Sequence, residues 1–462
     1  MVSKTKLLII CTTILSIVST SIAQHTISGQ IEGGAGNKVK LAYFKGDHLQ
    51  VFDSALCDAS GRFTIQVPPY LPQAQMRLLT RNRGSLEFLY PRQSVEIRSH
   101  LNYLEDSAKF VNSEVNIDLR NFWKYEAQHL KALELLQTLL DEYPDHLPFY
   151  QEVAREYIMR QIDFEATLNQ LIVKNQNNLA SHILMTRRRP RIDPSLTGKR
   201  RTEYLREHYF DNIPADDTSL IYTPAYTRLV IEYLMLYTNP GSDKKELEMS
   251  IIEGLKVVMD KFQPSPAIYD LITEYLLDGF QTYGFENVVQ WLSERYATER
   301  CESGNPELAR RAATLRNLAP GKPAPDISGI DMQGKKMSLA DYRGKYVLLA
   351  FWGSWCPHCA EIMPRIDQLL TDPQKKAGWE MVGISIDTDV KAVRNAMKEK
   401  QFHFRNLADG KGWDSPAAQA YGVAATPTFI FIDPEGNIVA KPGTLFEIID
   451  LLKTNGLLDS DQ

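Results

Sequence analysis

The hydrophobic periodicity of this 462-residue chain changes twice along its length, and each change limits the fold of the segment that follows. Apolar residues first alternate, as at Val39 and Leu41, with the period of a β-strand. They next recur three and four residues apart, as at Leu229 and Tyr233, with the period of a helix. In the last third, apolar runs such as 346–352 alternate with helical segments, which indicates an α/β domain. The expected architecture is multidomain, with a small all-β module at 24–104, an α-helical domain at 105–318 and an α/β domain at 319–462.

Turn-forming residues separate the predicted elements. Glycine, asparagine and aspartate cluster at 33–37 and 58–61, between the alternating runs of the first module. Short strands with regular turns predict a small antiparallel sheet or a sandwich. The segment 320–325 holds three prolines and a glycine, and we interpret it as the joint before the last domain.

The first 23 residues have the order of a secretory signal peptide. Lys4 and Lys6 precede an apolar run, and small residues at 21–23 suit a cleavage site. A single membrane anchor is the alternative, but the run is short for a span and contains several hydroxyl residues. We expect the signal to be cleaved and the mature protein to be extracytoplasmic, in the periplasm.

Composition excludes several classes of protein. Hydrophobic residues make up 44% and charged residues 24%, which is typical of a folded chain and excludes a largely disordered one. A net charge of -5 gives no reason to expect a nucleic-acid partner. Four cysteines follow the predicted signal, too few for a disulfide scaffold. Two of them, Cys57 and Cys301, are expected to be buried free thiols, with a long-range bridge as the alternative.

The segment 355–359, Trp-Cys-Pro-His-Cys, carries the chemistry. It follows a predicted buried strand and opens a predicted helix. Cys356 would lie at the helix N-terminus, where the dipole and free N–H groups stabilise a thiolate. Cys359 would lie one turn deeper and shielded. Such an unequal pair suits disulfide exchange, because one sulfur attacks a partner and the other cleaves the mixed disulfide.

These residues belong to a larger ordered set. The strand and cysteine segment 347–359, Pro364 in the helix, the loop 421–428 and the turn 433–436 occur in one order. This set resembles the extracytoplasmic thioredoxin-like domains of the TlpA/ResA class, within the thioredoxin and redoxin superfamily. The resemblance covers about a third of the chain and implies a thioredoxin-like fold for 319–462.

The resemblance also implies a function and a site. It implies that Pro427 is cis and faces Cys356, and that the Thr426 backbone pairs with an extended substrate. It implies a reversible Cys356–Cys359 disulfide, with no metal and no cofactor. The implied enzyme is a thiol–disulfide oxidoreductase that exchanges dithiol and disulfide with exported proteins, through a mixed disulfide on Cys356 that Cys359 resolves. Its implied partners are exported protein thiols and a membrane or periplasmic redox partner.

The sequence departs from the resembled family at the proton acceptor. Thioredoxins carry a buried acid where Ala350 stands, and many TlpA/ResA-like domains carry a glutamate where Ile362 stands. Glu361 is one residue earlier, about 100° around the helix. It is either a proton-transfer group for Cys359 or a surface charge, and water is the remaining acceptor.

Three further residues are expected to tune the site. Trp355 is expected to wall it, and Pro357 with His358 resembles the pair in the strong oxidant DsbA. A histidine N–H or positive charge near Cys356 would stabilise the thiolate, unless His358 is merely exposed. Because TlpA/ResA-like domains mostly act as reductants, the direction of electron flow stays open.

Two other activities would require residues that the cysteine segment lacks. A peroxiredoxin-type peroxidase needs a hydroxyl residue and a proline at the positions that Gly353 and Leu349 occupy. A thiol metal-binding module needs more ligands than one cysteine pair. The regions at 24–318 are expected to recruit a partner or mediate self-association. The basic stretch at 187–201 either grips an acidic partner or is a solvated loop.

Overall fold

The computed structural model describes residues 25–81, 84–239, 241–299, 305–371 and 378–459. The predicted signal peptide and Cys301 lie outside the described residues. The described chain divides into two compact units. The first comprises residues 25–44, 48–127 and 175–180, and the second comprises 45–47, 128–174 and 181–459. The division into three domains stays a prediction.

The first unit is strand-rich, as the alternation predicts. Its strands are β1 (Thr26–Glu32), β2 (Lys38–Lys45), β3 (His48–Leu56), β4 (Arg62–Gln66), β5 (Ala74–Thr80), β6 (Ser85–Tyr90), β7 (Val95–His100) and β8 (Lys109–Phe110). They form two four-stranded sheets, with the orders β4-β1-β7-β8 and β3-β2-β5-β6. Most of the pairs are antiparallel, as expected for an antiparallel sheet or a sandwich, but β1 and β7 run parallel, with Ile27 beside Val95. A parallel pair needs a crossover connection, which β2 to β6 provide.

The two sheets of the first unit share one core. Ile27 of β1 and Val95 of β7 are buried in it together with Leu41 of β2 and Met76 of β5. These residues come from alternate positions, as expected where one face of each strand is buried. Cys57 is a free thiol in the same core, and burial raises the pKa of this thiol.

Helices make up the middle of the chain. They are α1 (Glu114–Glu142), α2 (Pro148–Lys174), α3 (Leu179–Met185), α4 (Gly198–His208), α5 (Ala225–Met235), α6 (Lys244–Phe262), α7 (Pro266–Thr282), α8 (Glu286–Glu299) and α9 (Pro306–Asn317). Pro148 and Pro266 are each the first residue of a helix, where the missing N–H has no intrahelical partner to lose.

The helical spacing of Leu130, Leu133, Leu136 and Leu140 predicts a core face. Leu133 and Leu136 pack against the buried cluster that contains Leu140, and Leu130 alone of the four is exposed. The basic stretch at 187–201 is neither free to grip a partner nor simply solvated, because its arginines pair within the second unit. Arg189 pairs with Glu232 and lies over the Tyr209 ring, while Arg201 makes two hydrogen bonds to Asp141, of 2.8 and 2.9 Å.

The last part of the chain is a thioredoxin-like α/β domain, as predicted. Its elements are β9 (Ser328–Ile330), β10 (Lys336–Ser338), β11 (Tyr346–Trp352), α10 (Pro357–Thr371), β12 (Trp379–Ser385), α11 (Val390–Lys400), β13 (Arg405–Ala408), α12 (Pro416–Ala420), β14 (Thr428–Ile432), β15 (Ile438–Ala440) and α13 (Leu445–Thr454). The main sheet has the order β13-β12-β11-β14-β15. β11, β12 and β13 are parallel, and β14 and β15 are antiparallel to their neighbours.

The central strand β11 is apolar along its whole length because both faces of the sheet are covered. Leu348 and Ala350 belong to the core on one face, and Leu349 and Phe351 belong to the core on the other. A strand buried on both faces appears in the sequence as a continuous apolar run. This burial fixes β11 at the centre of the sheet, and the cysteine segment follows its carboxyl end.

Polar contacts join this domain to helices of the second unit. Lys441, after β15, lies 2.8 Å from Glu286 at the start of α8, and both side chains are largely buried. Lys244 at the start of α6 lies 2.9 Å from Glu447 on α13. The thioredoxin-like domain therefore packs on α6 and α8 within one compact unit.

Candidate active site

The cysteine pair lies where β11 passes into α10. β11 ends at Trp352, and α10 begins at Pro357. Between them the Cys356 N–H donates to the Gly353 carbonyl at 3.1 Å, and the Ala360 N–H donates to the Cys356 carbonyl at 3.0 Å. Cys356 is thus the last residue before the helix, as the sequence predicts.

Both sulfurs belong to free thiols in this structure, and their surroundings differ. The Cys356 thiol donates to the Thr426 carbonyl at 3.5 Å and accepts from the Cys359 N–H at 3.2 Å. Cys356 is 5% exposed and Cys359 is 1% exposed. The first thiol therefore lies at the edge of the core and the second lies inside it. The disulfide between them stays a prediction.

The pKa values of the two thiols move in opposite directions. Burial opposes ionisation of Cys356, but hydrogen bonds from the Cys359 thiol, the Thr426 side chain and backbone N–H groups outweigh burial and lower its pKa. Burial, together with the hydrogen bond and the charge of Cys356, raises the pKa of Cys359 to about 12. The surroundings therefore favour ionisation of Cys356 and oppose ionisation of Cys359.

The loop before β14 faces the reactive sulfur. The Thr426–Pro427 peptide bond is cis, so the prediction made for Pro427 is confirmed. The Thr426 carbonyl is the group that accepts from Cys356, which confirms that this backbone turns toward the sulfur. Thr426 is half-buried, so part of it stays open to a substrate.

A buried carboxylate that sequence reasoning missed holds the loop before Cys356. Asp387, just after β12, is 2% exposed. It accepts from the Ser354 N–H at 2.9 Å, from the Ser354 hydroxyl, and from the Ser385 hydroxyl at 2.8 Å. A signal was available, because Asp387 ends a predicted strand next to β11, and the carboxyl ends of neighbouring parallel strands share one edge.

An exposed aromatic pair lies beside the cysteines. Trp355 is 54% exposed and Trp413 is 44% exposed, and their ring centroids are 6.2 Å apart at an interplanar angle of 59°. A Cβ on Gly353 would lie 2.8 Å from the Trp355 indole, so only glycine leaves room for this ring position. Trp355 was predicted as a wall of the site. Trp413 was not predicted, and its signal is a lone aromatic residue in the polar segment 409–414.

The remaining predicted site residues are on the surface. Pro357 and His358 are exposed in the first turn of α10. Glu361 is also exposed on α10, whereas Cys359 is buried. The structure therefore brings Cys356, Cys359, Thr426 and Pro427 together. The tuning role of His358 and the proton-transfer role of Glu361 stay predictions.

Two features are absent from the described residues. Within ranges 25–81, 84–239, 241–299, 305–371 and 378–459, no three or more His, Cys, Asp or Glu residues form a group that could hold a metal ion. Among the helices of those same ranges, none has both the length and the hydropathy that a membrane span requires.

Comparison with known proteins adds relatives for the C-terminal region. A family model described as the AhpC/TSA family matches residues 320–441. The thiol-disulfide oxidoreductase ResA of Bacillus thuringiensis subsp. konkukian is 35% identical over 121 residues, which are 26% of this chain and 68% of that protein. The protein of the same name from Bacillus subtilis is 33% identical over 136 residues, 29% of this chain and 74% of that one.

Solved structures also match this region. The thioredoxin domain of a thiol-disulfide oxidoreductase from Bacteroides vulgatus is 30% identical, with a TM-score of 0.28. The match covers 30% of this chain and 98% of that domain.

Proposed function

Since the chain belongs to the ResA/TlpA-like redoxins, we propose that it is a thiol–disulfide oxidoreductase that exchanges electrons with cysteines of exported proteins through Cys356 and Cys359. One observation carries the proposal for these two residues. The pKa of Cys356, which directly precedes α10, is lowered, while the pKa of Cys359, in the first turn of α10, is raised to about 12. A thiolate beside a protonated, shielded thiol is the arrangement that sequential disulfide exchange requires.

In the first step the Cys356 thiolate attacks one sulfur of a substrate disulfide. A bond forms between Cys356 Sγ and that sulfur, the substrate S–S bond breaks, and the second substrate sulfur leaves as a thiolate that takes up a proton. The Thr426 carbonyl, 3.5 Å from Cys356 Sγ, is free to accept a hydrogen bond from the substrate backbone once Cys356 no longer donates to it.

In the second step Cys359 resolves the mixed disulfide. Once Cys356 carries the substrate it is neutral and no longer a thiolate, so its hydrogen bond and charge no longer raise the pKa of Cys359. Cys359 then loses its proton to water or to Glu361 and attacks Cys356 Sγ. The Cys356–Cys359 disulfide forms, the bond between Cys356 Sγ and the substrate sulfur breaks, and that sulfur leaves as a thiolate that takes up a proton. The substrate is then a dithiol, and two electrons have passed to it from the protein.

A redox partner must restore the dithiol. The proposal includes a membrane or periplasmic protein whose own thiols reduce the Cys356–Cys359 disulfide. The same steps run backward when the substrate is a dithiol, and the potential of the pair decides the direction. A reduction potential of about -120 mV favours oxidation of substrates, and a reduction potential of about -270 mV favours their reduction.

The predicted signal peptide at 1–23 supports export of the chain, and its cleavage would leave the mature protein extracytoplasmic. The regions before residue 319 are proposed to orient a partner or to mediate self-association. Exposed apolar side chains on α1 and α2, among them Leu135 and Val173, support the second role.

A trapping experiment tests the proposal. In Cys359→Ser the first step proceeds and the second cannot, so a mixed disulfide with an unfolded, disulfide-containing protein should accumulate on Cys356. Cys356→Ser is the matched control and should accumulate none. Wild-type protein that turns over no peptide disulfide, together with no trapped species in Cys359→Ser, would contradict the proposed function.

A further inference from the structure

Two exposed tryptophans, Trp355 and Trp413, form a ring pair at the segment that carries Cys356. Trp355 immediately precedes the reactive cysteine, and Trp413 lies in a short 3₁₀ turn, Gly412–Asp414. The surrounding segment 409–414 carries aspartates and lysine, as a solvent-facing turn normally does. About half of the surface of each tryptophan is exposed to solvent. An exposed apolar pair next to a reaction centre is typical of a binding surface.

The backbone around both rings is adapted to hold them in position. The ring of Trp355 lies over Gly353, where any Cβ would come within 2.8 Å of the indole. Gly412 has a φ of +62°, in the left-handed region, and the Ser415 N–H donates to its carbonyl at 3.2 Å to close the turn that presents Trp413. One glycine therefore leaves room for the Trp355 ring, and another shapes the turn that carries Trp413.

The pair offers a surface of defined chemistry. The rings are inclined by 59° with centroids 6.2 Å apart, so together they present apolar faces in two directions. A flat aromatic side chain can make offset or edge-to-face contacts with both rings. A cationic side chain would interact with one face and would retain much of its water, because the site is open.

We propose that Trp355 and Trp413 form an aromatic subsite that selects substrates with an aromatic side chain next to the target cysteine. This inference rests on the proposed function, because the subsite matters only if Cys356 reacts with a substrate sulfur. Since Trp355 adjoins Cys356 in the chain, a residue flanking the substrate cysteine reaches the pair when the mixed disulfide forms. Trp413 is then a specificity-determining residue.

Three peptides test the subsite. They are identical except that the residues flanking one cysteine are phenylalanine, alanine or lysine, and that cysteine is held in a disulfide with glutathione. The measurement is the second-order rate constant for reaction of each peptide with the fully reduced full-length protein. We expect the phenylalanine peptide to react about tenfold faster than the alanine peptide, the gain of one well-placed aromatic contact.

Variants then assign the preference to Trp413. In Trp413→Ala the ratio of the phenylalanine to the alanine rate constant should fall to near one, and Trp413→Phe should keep most of it. The matched control is Phe446→Ala, which removes an aromatic ring that is 78% exposed on α13 of the same domain. This control should keep the wild-type ratio. A ratio measured on one protein sample is insensitive to a loss of folded protein.

The possible outcomes separate the two proposals. An unchanged ratio in Trp413→Ala, equal rates for phenylalanine and alanine in the wild type, or a fastest lysine peptide would each overturn the aromatic subsite while leaving the thiol chemistry intact. No reaction of any peptide with reduced wild-type protein would instead contradict the proposed function itself.

Discussion

At the scale of single residues, the site depends on how Cys359 acts on Cys356. The two thiols are three residues apart, and the hydrogen bond from the Cys359 thiol is the first of the contributions that overcome burial and lower the pKa of Cys356. Cys359, the more deeply buried of the two, therefore has two roles. It stabilises the attacking thiolate before the first step, and it is the nucleophile of the second.

This dual role predicts the effect of Cys359→Ala on its neighbour. Removing the thiol removes its hydrogen bond to Cys356, so the pKa of Cys356 should rise and the thiolate fraction at neutral pH should fall. The ultraviolet absorbance of the thiolate, followed against pH, measures this pKa directly. Cys57→Ala is the control, since Cys57 is a buried thiol of the first unit. An unchanged or lower pKa of Cys356 in Cys359→Ala would contradict this account.

At the scale of elements, the site depends on the edge shared by β11 and β12. The two strands are parallel, with Trp352 beside Ser385, so the residues that follow them meet. Asp387 uses this position to bind the loop that carries Cys356. Three donors converge on its carboxylate, and the loop is thereby fixed to the sheet and not only to α10.

We therefore expect Asp387→Ala to destabilise the domain and loosen the active-site loop. It would leave the N–H and hydroxyl of half-buried Ser354 and the hydroxyl of buried Ser385 without their acceptor, and a buried group left in this way costs about 1–3 kcal/mol. The free energy of unfolding should fall by about 3 kcal/mol in urea titrations. Asp450→Ala, at an exposed position on α13, should change it by less than about 0.5 kcal/mol. Equal effects of the two variants would contradict the role given to Asp387.

The elements also show what sequence patterns can predict. The apolar run 346–352 predicts β11 with its observed bounds, because a strand buried on both faces leaves a strong local signal. β3 leaves no such signal because its exposure does not alternate. In the site, Cys356 and Pro427 belong to recognisable motifs. Asp387 and Trp413 were missed because their roles come from contacts with residues distant in the chain.

At the scale of the whole molecule, side-chain contacts as well as the joint at 320–325 hold the thioredoxin-like domain in the second unit. The Lys441–Glu286 pair is largely buried, and the Gln281 side-chain amide donates to the Gly422 carbonyl at 3.4 Å. The helices α6, α7 and α8 thus contact the domain that carries the cysteines. Sequence patterns gave no sign of this packing, because each partner looks like an ordinary surface residue in its own segment.

Loss of this ion pair should loosen the packing locally. Lys441→Ala leaves Glu286 partly buried without its partner, which should cost about 1–2 kcal/mol. Amide hydrogen exchange should therefore become up to about tenfold faster at β15 and at the start of α8. Lys391→Ala, at an exposed position on α11, is the matched control and should leave exchange at both segments unchanged. Unchanged exchange in Lys441→Ala would show that the pair does not hold the two parts together.

The rate of alkylation of each cysteine, measured against pH, shows whether Cys356 is the activated thiol and Cys359 the shielded one. The reduced full-length protein is treated with iodoacetamide, and mass spectrometry assigns each modification. Only a thiolate reacts, so the rate for Cys356 should rise with pH through a midpoint below the ordinary thiol value of about 8.5, while Cys359 stays unmodified across the same range. In urea both cysteines should titrate near the ordinary value. If Cys359 reacted first, or if Cys356 titrated at or above the ordinary value in the folded protein, Cys356 would not be the activated thiol that the proposed mechanism requires.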